Sequence, residues 1–87
     1  MEHFDIKQVY NNYIKLNKAQ RKSVLRQLQK EGIPVKAIEA YTYPEAPGLV
    51  HLFFHFEGTS EGIPYFQLTE KQLEMVKNTM KEACYIK

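Results

Sequence analysis

The hydrophobic positions of this chain follow two different periods, one toward the ends and another in the middle. Apolar side chains recur at the helical spacing of about 3.6 residues over 6–16, 18–31 and 70–85. Residues 49–56 instead read Leu-Val-His-Leu-Phe-Phe-His-Phe, an aliphatic and aromatic run that is typical of a strand. The pattern therefore predicts two helices, a sheet and a third helix.

The predicted helices share one start signal. Asp5, Asn17 and Thr69 are each followed three residues later by glutamine, which is the capping-box pattern. The side chain of the cap accepts a backbone N–H of the helix, and the glutamine reaches back to the N–H of the cap. Asn17 marks either a tight turn between two helices or a kink in one bent helix.

Two further signals support these boundaries. Hydrophobic residues stand at the N′ and N4 positions of two helices, where they can form staples: Phe4 with Val9, and Leu68 with Leu73. Gly32 suits the left-handed conformation that follows a helix, and Pro34 prevents the helix from resuming. The second helix is therefore expected to end near residue 31.

The middle of the chain predicts three strands. Residues 63–68 follow 49–56 after a polar connection and are expected to pair with it as a hairpin, with Pro64 at an edge or a strand start. Residues 35–43 form the remaining strand, although 35–40 could also be helical. The predicted order is α-α-β-β-β-α. We expect a single small α+β domain spanning residues 1–87, because a chain of this length supports one core. Its three strands are expected to form a mainly antiparallel meander packed against the helices.

The strand at 49–56 has two unequal faces, because successive side chains point to opposite sides. One face is expected to join the core: Val50, Leu52, Phe54 and Phe56. The other is rich in aromatic and imidazole groups: Leu49, His51, Phe53 and His55, extended by Tyr65, Tyr41 and Tyr43. A helix or a loop could cover this second face. If it is open, it could form a homodimer seam, accept an apolar anchor of a partner protein, or stack nucleobases.

Charge divides the chain, since residues 1–36 carry a net +5 and residues 37–87 a net −3. The second helix places cations at i, i+4, i+8 and i+12, with one more lysine before them. We call this set the basic ridge: Lys15, Lys18, Lys22, Arg26 and Lys30. Like charges at i, i+4 cost about 0.2–0.5 kcal/mol per pair. Such a ridge fits a phosphate backbone or an acidic groove of another protein, and it is also compatible with simple solvation.

The sequence contains no catalytic or metal-binding pattern. His51 and His55 are four residues apart on a strand, about 13 Å, which is too far to share a zinc ion. Cys84 follows the apolar spacing of the third helix, so we expect a small core residue and not a nucleophile. The isolated glycines fit no nucleotide-binding loop. We therefore expect no enzymatic activity, no cofactor and no metal.

The remaining features concern location. The N-terminal residues lack the basic and then apolar order of a secretory signal, and no apolar run approaches the ~20 residues that cross a bilayer. A single cysteine cannot form the internal disulfides on which small secreted domains usually depend. These features predict a cytoplasmic protein without a membrane partner.

Together the observations favour a non-enzymatic binding protein. Its partner is expected to be a protein with an acidic surface, which the basic ridge would attract while the aromatic sheet residues supply buried contacts. The predicted partner-binding residues are the basic ridge together with Tyr41, His51, Phe53, His55 and Tyr65. In size and charge the chain resembles small inhibitors of host or defence enzymes that phages and mobile elements encode. The alternative is a nucleic-acid-binding protein that contacts phosphates through the basic ridge.

Overall fold

Three helices and a three-stranded antiparallel sheet enclose one core: the first two helices lie against the sheet, and the third lies against the first two. The structure, a computed structural model, describes residues 5–85. Its elements are α1 (Ile6–Lys15), α2 (Lys18–Lys30), β1 (Val35–Tyr43), β2 (Ala46–Phe56), β3 (Gly62–Pro64), a 3-10 turn (Tyr65–Gln67) and α3 (Glu70–Ala83). The strands lie in the order β1-β2-β3 and both pairs are antiparallel, so the predicted α+β meander is confirmed. The predicted staple of Phe4 with Val9 lies partly outside the described residues.

The predicted capping boxes explain where α2 and α3 begin. Asn17 N–H donates to the Gln20 side chain and Gln20 N–H donates to the Asn17 side chain, both at 2.8 Å. Thr69 and Gln72 form the same pair of bonds at 2.9 and 3.1 Å. At α1 only half of the predicted capping box is described: the Asp5 carboxylate accepts Gln8 N–H at 3.2 Å. Because Asn17 caps a new helix, α1 and α2 are two helices and not one bent helix.

The end of α2 is a Schellman motif, which the glycine in the sequence predicts. Gly32 adopts a φ of +86°, a left-handed conformation that costs a residue with a Cβ about 1–2 kcal/mol. Gly32 N–H donates to the Gln29 carbonyl at 3.1 Å, and Ile33 N–H donates to the Leu28 carbonyl at 2.9 Å. Leu28 and Ile33 are both buried, so the turn that ends the helix also closes one side of the core.

The first two strands agree with the prediction more closely than the third. Residues 35–43 are a strand and not a helix, since they form an antiparallel ladder with β2. The prediction of a strand over 63–68 is wrong beyond Pro64. Pairing of β3 with β2 stops at Phe53 opposite Pro64, and Tyr65–Gln67 forms a 3-10 turn instead. Proline has no N–H with which to continue the ladder, which is the physical reason for the early end.

The centre of the core comes from β2. Val50, predicted for the core face, is half-buried, but it does not belong to the core and lines a hollow on the other side of the sheet. Leu52 and Phe54 are fully buried, as predicted, and Phe56 on the same face is half-buried. They meet apolar side chains from all three helices: Val9 and Tyr13 of α1, Val24 and Leu28 of α2, Val76 and Met80 of α3. Tyr13 adds a polar link between the layers, because its hydroxyl donates to the Ile38 carbonyl of β1 at 3.1 Å.

The last helix ends earlier than predicted, at Ala83 and not at residue 85. The prediction that Cys84 is a core residue is wrong, since Cys84 is exposed and its thiol lies 3.7 Å from the Asn12 carbonyl of α1. Ala83 is buried and takes the last position on the apolar stripe, so the next residue lies beside that stripe. At 14 residues α3 is the longest helix between residues 5 and 85, and no helix there could span a membrane.

Leu52 and Leu49 provide a matched test of the two sheet faces. Leu52 is 0% exposed and Leu49 is 55% exposed, on the same strand. Leu52→Ala is expected to lower the free energy of unfolding by about 2–5 kcal/mol, because it leaves a cavity in the core. Leu49→Ala should change this free energy by less than about 0.5 kcal/mol. Urea denaturation of both variants measures the difference, and equal losses would contradict the assignment of the faces.

Candidate functional site on the outer face of the sheet

The outer face of the sheet brings together side chains from β1, β2 and the 3-10 turn. The β1–β2 register sets Glu39 beside Phe53 and Tyr41 beside His51. We call this surface the aromatic face; its residues are Tyr41, Tyr43, His51, Phe53, Tyr65 and Phe66. The helices pack into the core on the other side, and Tyr65 reaches that core as well. Within residues 5–85, no residue of α1, α2 or α3 lines the two hollows of the aromatic face.

Ring contacts hold the aromatic face together, with the His51 imidazole at the centre. Its centroid lies 4.4 Å from the ring of Phe53, 5.3 Å from Tyr65 and 5.6 Å from Phe66. Tyr41 meets Phe53 edge to face at 5.5 Å. Partial burial among these rings lowers the pKa of His51, so the imidazole is neutral at neutral pH and adds no charge to the face.

A carboxylate lies at the edge of these rings. Tyr41 Oη donates a hydrogen bond to one Glu39 oxygen, and His55 Nε2 contacts the other. The hydrogen bond from Tyr41, and then that from His55, lower the pKa of Glu39, because both favour the ionised carboxylate. The same bond raises the pKa of Tyr41. Across residues 5–85, no group of three or more His, Cys, Asp and Glu side chains could hold a metal ion.

Gly62 makes room for the His55 imidazole. The two residues pair across β2 and β3. A Cβ at position 62 would lie 3.1 Å from His55 Cε1 and Nε2, and 3.3 Å from Phe53 Cβ, which is closer than such atoms normally approach. A larger residue at position 62 would therefore displace the imidazole from its contact with Glu39.

Two open hollows lie side by side on this surface. The larger, of about 370 Å³, contains the carboxylate, and we call it the Glu39 hollow. It is lined by Glu39, Tyr41, Thr42, Tyr43, Phe53, His55 and Gly62. The second, of about 250 Å³, is lined by Tyr43, Leu49, Val50, His51, Tyr65 and Phe66. Together they offer aromatic rings for stacking and one negatively charged hydrogen-bond acceptor.

The basic ridge lies on the other side of the sheet, with the helices. All of its side chains are exposed, from Lys15 at the end of α1 to Lys30 at the end of α2. Arg21 differs, since its guanidinium lies 4.5 Å from the Tyr13 ring centroid and its Nε is buried without a hydrogen-bond partner. Arg21 therefore belongs to the packing of α1 on α2. The predicted partner-binding residues thus form two separate surfaces, the basic ridge and the outer face of the sheet.

Three residues of the outer face are not indicated by the sequence pattern: Glu39, Gly62 and Phe66. Alternation along β1 puts Glu39 and Tyr41 on one face, but alternation alone does not say which β2 residues lie beside them. In a continuous strand Phe66 would point away from Tyr65. The 3-10 turn instead brings both rings against His51.

The Glu39 carboxyl provides a direct test of this cluster. Tyr41→Phe is expected to raise the pKa of Glu39 toward its ordinary value, because the hydrogen bond from Tyr41 is the largest cause of the depression. Tyr43→Phe removes a phenol from the same hollow and should leave that pKa unchanged. Titration of the carboxyl ¹³C signal by NMR measures both variants. No shift in Tyr41→Phe would contradict the arrangement.

The lowered pKa of Glu39 also makes the stability of the fold depend on pH. The pKa of Glu39 is lower in the folded chain than in the unfolded chain. Its contribution to stability is therefore present above the ordinary glutamate value and is lost as the pH falls through the folded value. Tyr41→Phe should weaken this acid dependence, which thermal unfolding at a series of acidic pH values can follow.

Comparisons with known proteins provide no family for this chain. No protein-family model matches it, and no match was found among curated proteins or solved structures. Its function therefore has to be inferred from the site itself and not from its fold.

Proposed function

We propose that this protein is a non-enzymatic binding protein whose aromatic face docks onto a protein partner. The observation that carries the proposal is the open cluster of rings on the outer face of the sheet. Phe66 is 63% exposed and Tyr41 is 42% exposed, and each is held by ring contacts within the cluster. Aromatic side chains that lose little entropy on binding are the usual anchors of protein interfaces.

The contacts of the polar side chains support binding and not catalysis. The Glu39 carboxylate accepts from Tyr41 and contacts His55, so its oxygens hold neighbouring side chains in place. Nucleophilic catalysis requires a base within hydrogen-bond reach of the nucleophile. Cys84, the single cysteine, lies after the end of α3 against the Asn12 carbonyl and not in the aromatic face.

The basic ridge is proposed to contact an acidic surface of the partner. The domain spans 36 × 31 × 29 Å, whereas charges are screened over about 8 Å at physiological ionic strength. Because the basic ridge lies on the helix side of the sheet, its charges attract a group bound at the aromatic face only weakly. A partner has to reach the helix side for the ridge to raise its association rate. An inhibitor of a host or defence enzyme, of the kind that phages and mobile elements encode, fits a domain with two such surfaces.

Nucleic-acid binding through the basic ridge is the second candidate, favoured by its exposed cations along α1 and α2. If each of the five cations of the basic ridge neutralised one phosphate, the logarithm of the binding constant would fall with the logarithm of the salt concentration, with a slope of about −4 to −5 on duplex DNA. Salt titration of binding to random DNA and RNA separates the candidates. Micromolar affinity at physiological salt with a steep slope favours nucleic acid, and no binding at low salt excludes it.

Capture from an extract of the native host tests the aromatic face. Immobilised wild-type protein is expected to retain a partner that Phe53→Ala loses, because the substitution removes a central ring. Ile14→Ala is the matched control, since Ile14 is an exposed apolar residue of α1 on the helix side. Equal capture by the two variants would contradict docking at the aromatic face. A complex with the mass of two identical chains would show a homodimer instead.

Charge reversal tests the contribution of the basic ridge. Lys22→Glu with Arg26→Glu is expected to slow association with the captured partner about tenfold or more at low salt, without loss of helicity. Lys71→Glu with Lys81→Glu makes the same change in net charge on α3 and should have a smaller effect. Biosensor kinetics and circular dichroism measure the two properties. Unchanged rates with intact helicity would exclude this role of the ridge.

A further inference from the structure

The sheet side of the molecule is acidic, unlike the helix side. Residues 37–69, which include all of β2 and β3 and most of β1, contain four glutamates and no lysine or arginine. His51 is neutral at neutral pH because burial lowers its pKa. Lys36 at the start of β1 donates to the Thr59 carbonyl at 3.1 Å and does not line either hollow. The linings of the two hollows contain the Glu39 carboxylate and no lysine or arginine, so they favour a cationic group over an anionic one.

Glu39 is the glutamate that lines the larger hollow. Its side chain is 46% exposed. An ionised carboxylate can accept about four hydrogen bonds. The contacts with Tyr41 and His55 use one acceptor site on each Glu39 oxygen, so further sites are left. The same contacts lower the pKa of Glu39, so it stays ionised at neutral pH. Glu39 can therefore accept hydrogen bonds from a bound donor without losing the contacts that hold it.

Aromatic rings surround this carboxylate. Tyr41, Tyr43 and Phe53 all line the Glu39 hollow, and the rings of Tyr41 and Phe53 are set at 83° to each other. Cations are attracted to the faces of aromatic rings, and this attraction adds to that of a neighbouring carboxylate. A volume of about 370 Å³ is near the lower end for small-ligand sites, which suits one side chain better than a large cofactor.

We propose that the Glu39 hollow binds a cationic side chain, arginine above all, presented by the partner protein. This inference deepens the docking function proposed above and rests on it. A guanidinium group is planar, so it can stack on a ring while its N–H groups donate to a carboxylate. The partner surface that meets the aromatic face is then basic. The acidic surface expected from the sequence belongs to the separate contact with the basic ridge.

Capped tripeptides test the hollow without the partner. An acetyl-Gly-Arg-Gly-amide peptide is titrated into ¹⁵N-labelled protein, beside the citrulline peptide, which has nearly the same shape and no charge. The arginine peptide is expected to shift the amide signals of β1 and of 53–55 with a Kd of about 1 mM. The Kd of the citrulline peptide should be higher by a factor of up to about five, which is the difference expected for a half-exposed charged contact.

Two variants with the same change in charge locate the site. Glu39→Gln is expected to abolish the preference for arginine over citrulline. Glu57→Gln removes another glutamate from the sheet side, at an exposed position outside the hollow, and should keep the preference. Tyr43→Leu keeps an apolar group and removes a ring, so it should weaken binding of the arginine peptide more than that of citrulline. The dispersion of the amide spectra shows that each variant is folded.

Several outcomes would overturn the assignment. They are equal binding of the two peptides, equal loss of preference in Glu39→Gln and Glu57→Gln, and no shift at the highest soluble peptide concentration. Signals that broaden with protein concentration and do not respond to peptide would mean that a second copy covers the hollow, which also overturns it.

The docking function and the cation site are tested by different experiments. If the peptides show no preference for arginine but Phe53→Ala abolishes capture of the partner, the docking function stands and the cation site falls. If the hollow prefers arginine but capture does not depend on Phe53, the docking function falls. The assignment of the cation to a partner protein then falls with it, and only the preference of the hollow for arginine remains.

Discussion

The rest of this molecule depends on the packing of a three-stranded sheet with its helices on one face. Leu52 and Phe54 of β2 are fully buried beneath those helices. Because side chains alternate along a strand, the residues next to them must point to the opposite side. Phe53 and its neighbours are therefore placed outside by the same geometry that buries the core. A chain of 87 residues buries only about 60–65% of its unfolded surface, so a face of this kind is left to solvent or to a partner.

Polar contacts keep the outer face in order before anything binds. Glu39 holds Tyr41 and His55, and Gly62 leaves the space that the imidazole needs. Side chains that are already restricted lose less rotamer freedom when they are buried against a partner. A surface of this size can therefore bind with useful affinity, since the cost of ordering it is met during folding.

Local signals in the sequence define most of the fold, whereas the candidate site depends on contacts between distant segments. The caps at Asn17 and Thr69 involve residues three positions apart, and the two faces of β2 follow from alternation, so both can be predicted. The position of Glu39 beside Phe53 cannot, because it depends on the β1–β2 register, which shifts near each end of β1. Pro64 indicates in the sequence where pairing can stop, but the strand pattern does not show the 3-10 turn that follows it and brings the rings of Tyr65 and Phe66 against His51.

Unequal charge along the chain, a net +5 over residues 1–36 and a net −3 over 37–87, gives the molecule an electric dipole moment with its positive end toward α1 and α2. The helix layer carries the basic ridge, and residues 37–69 contain glutamates without lysine or arginine. In the field of a charged surface such a dipole experiences a torque, so the domain rotates before contact is made. A negative surface turns the helices toward itself and leaves the aromatic face directed outward. A positive surface produces the reverse orientation, so the sign of the field decides which side of the domain makes the first contact.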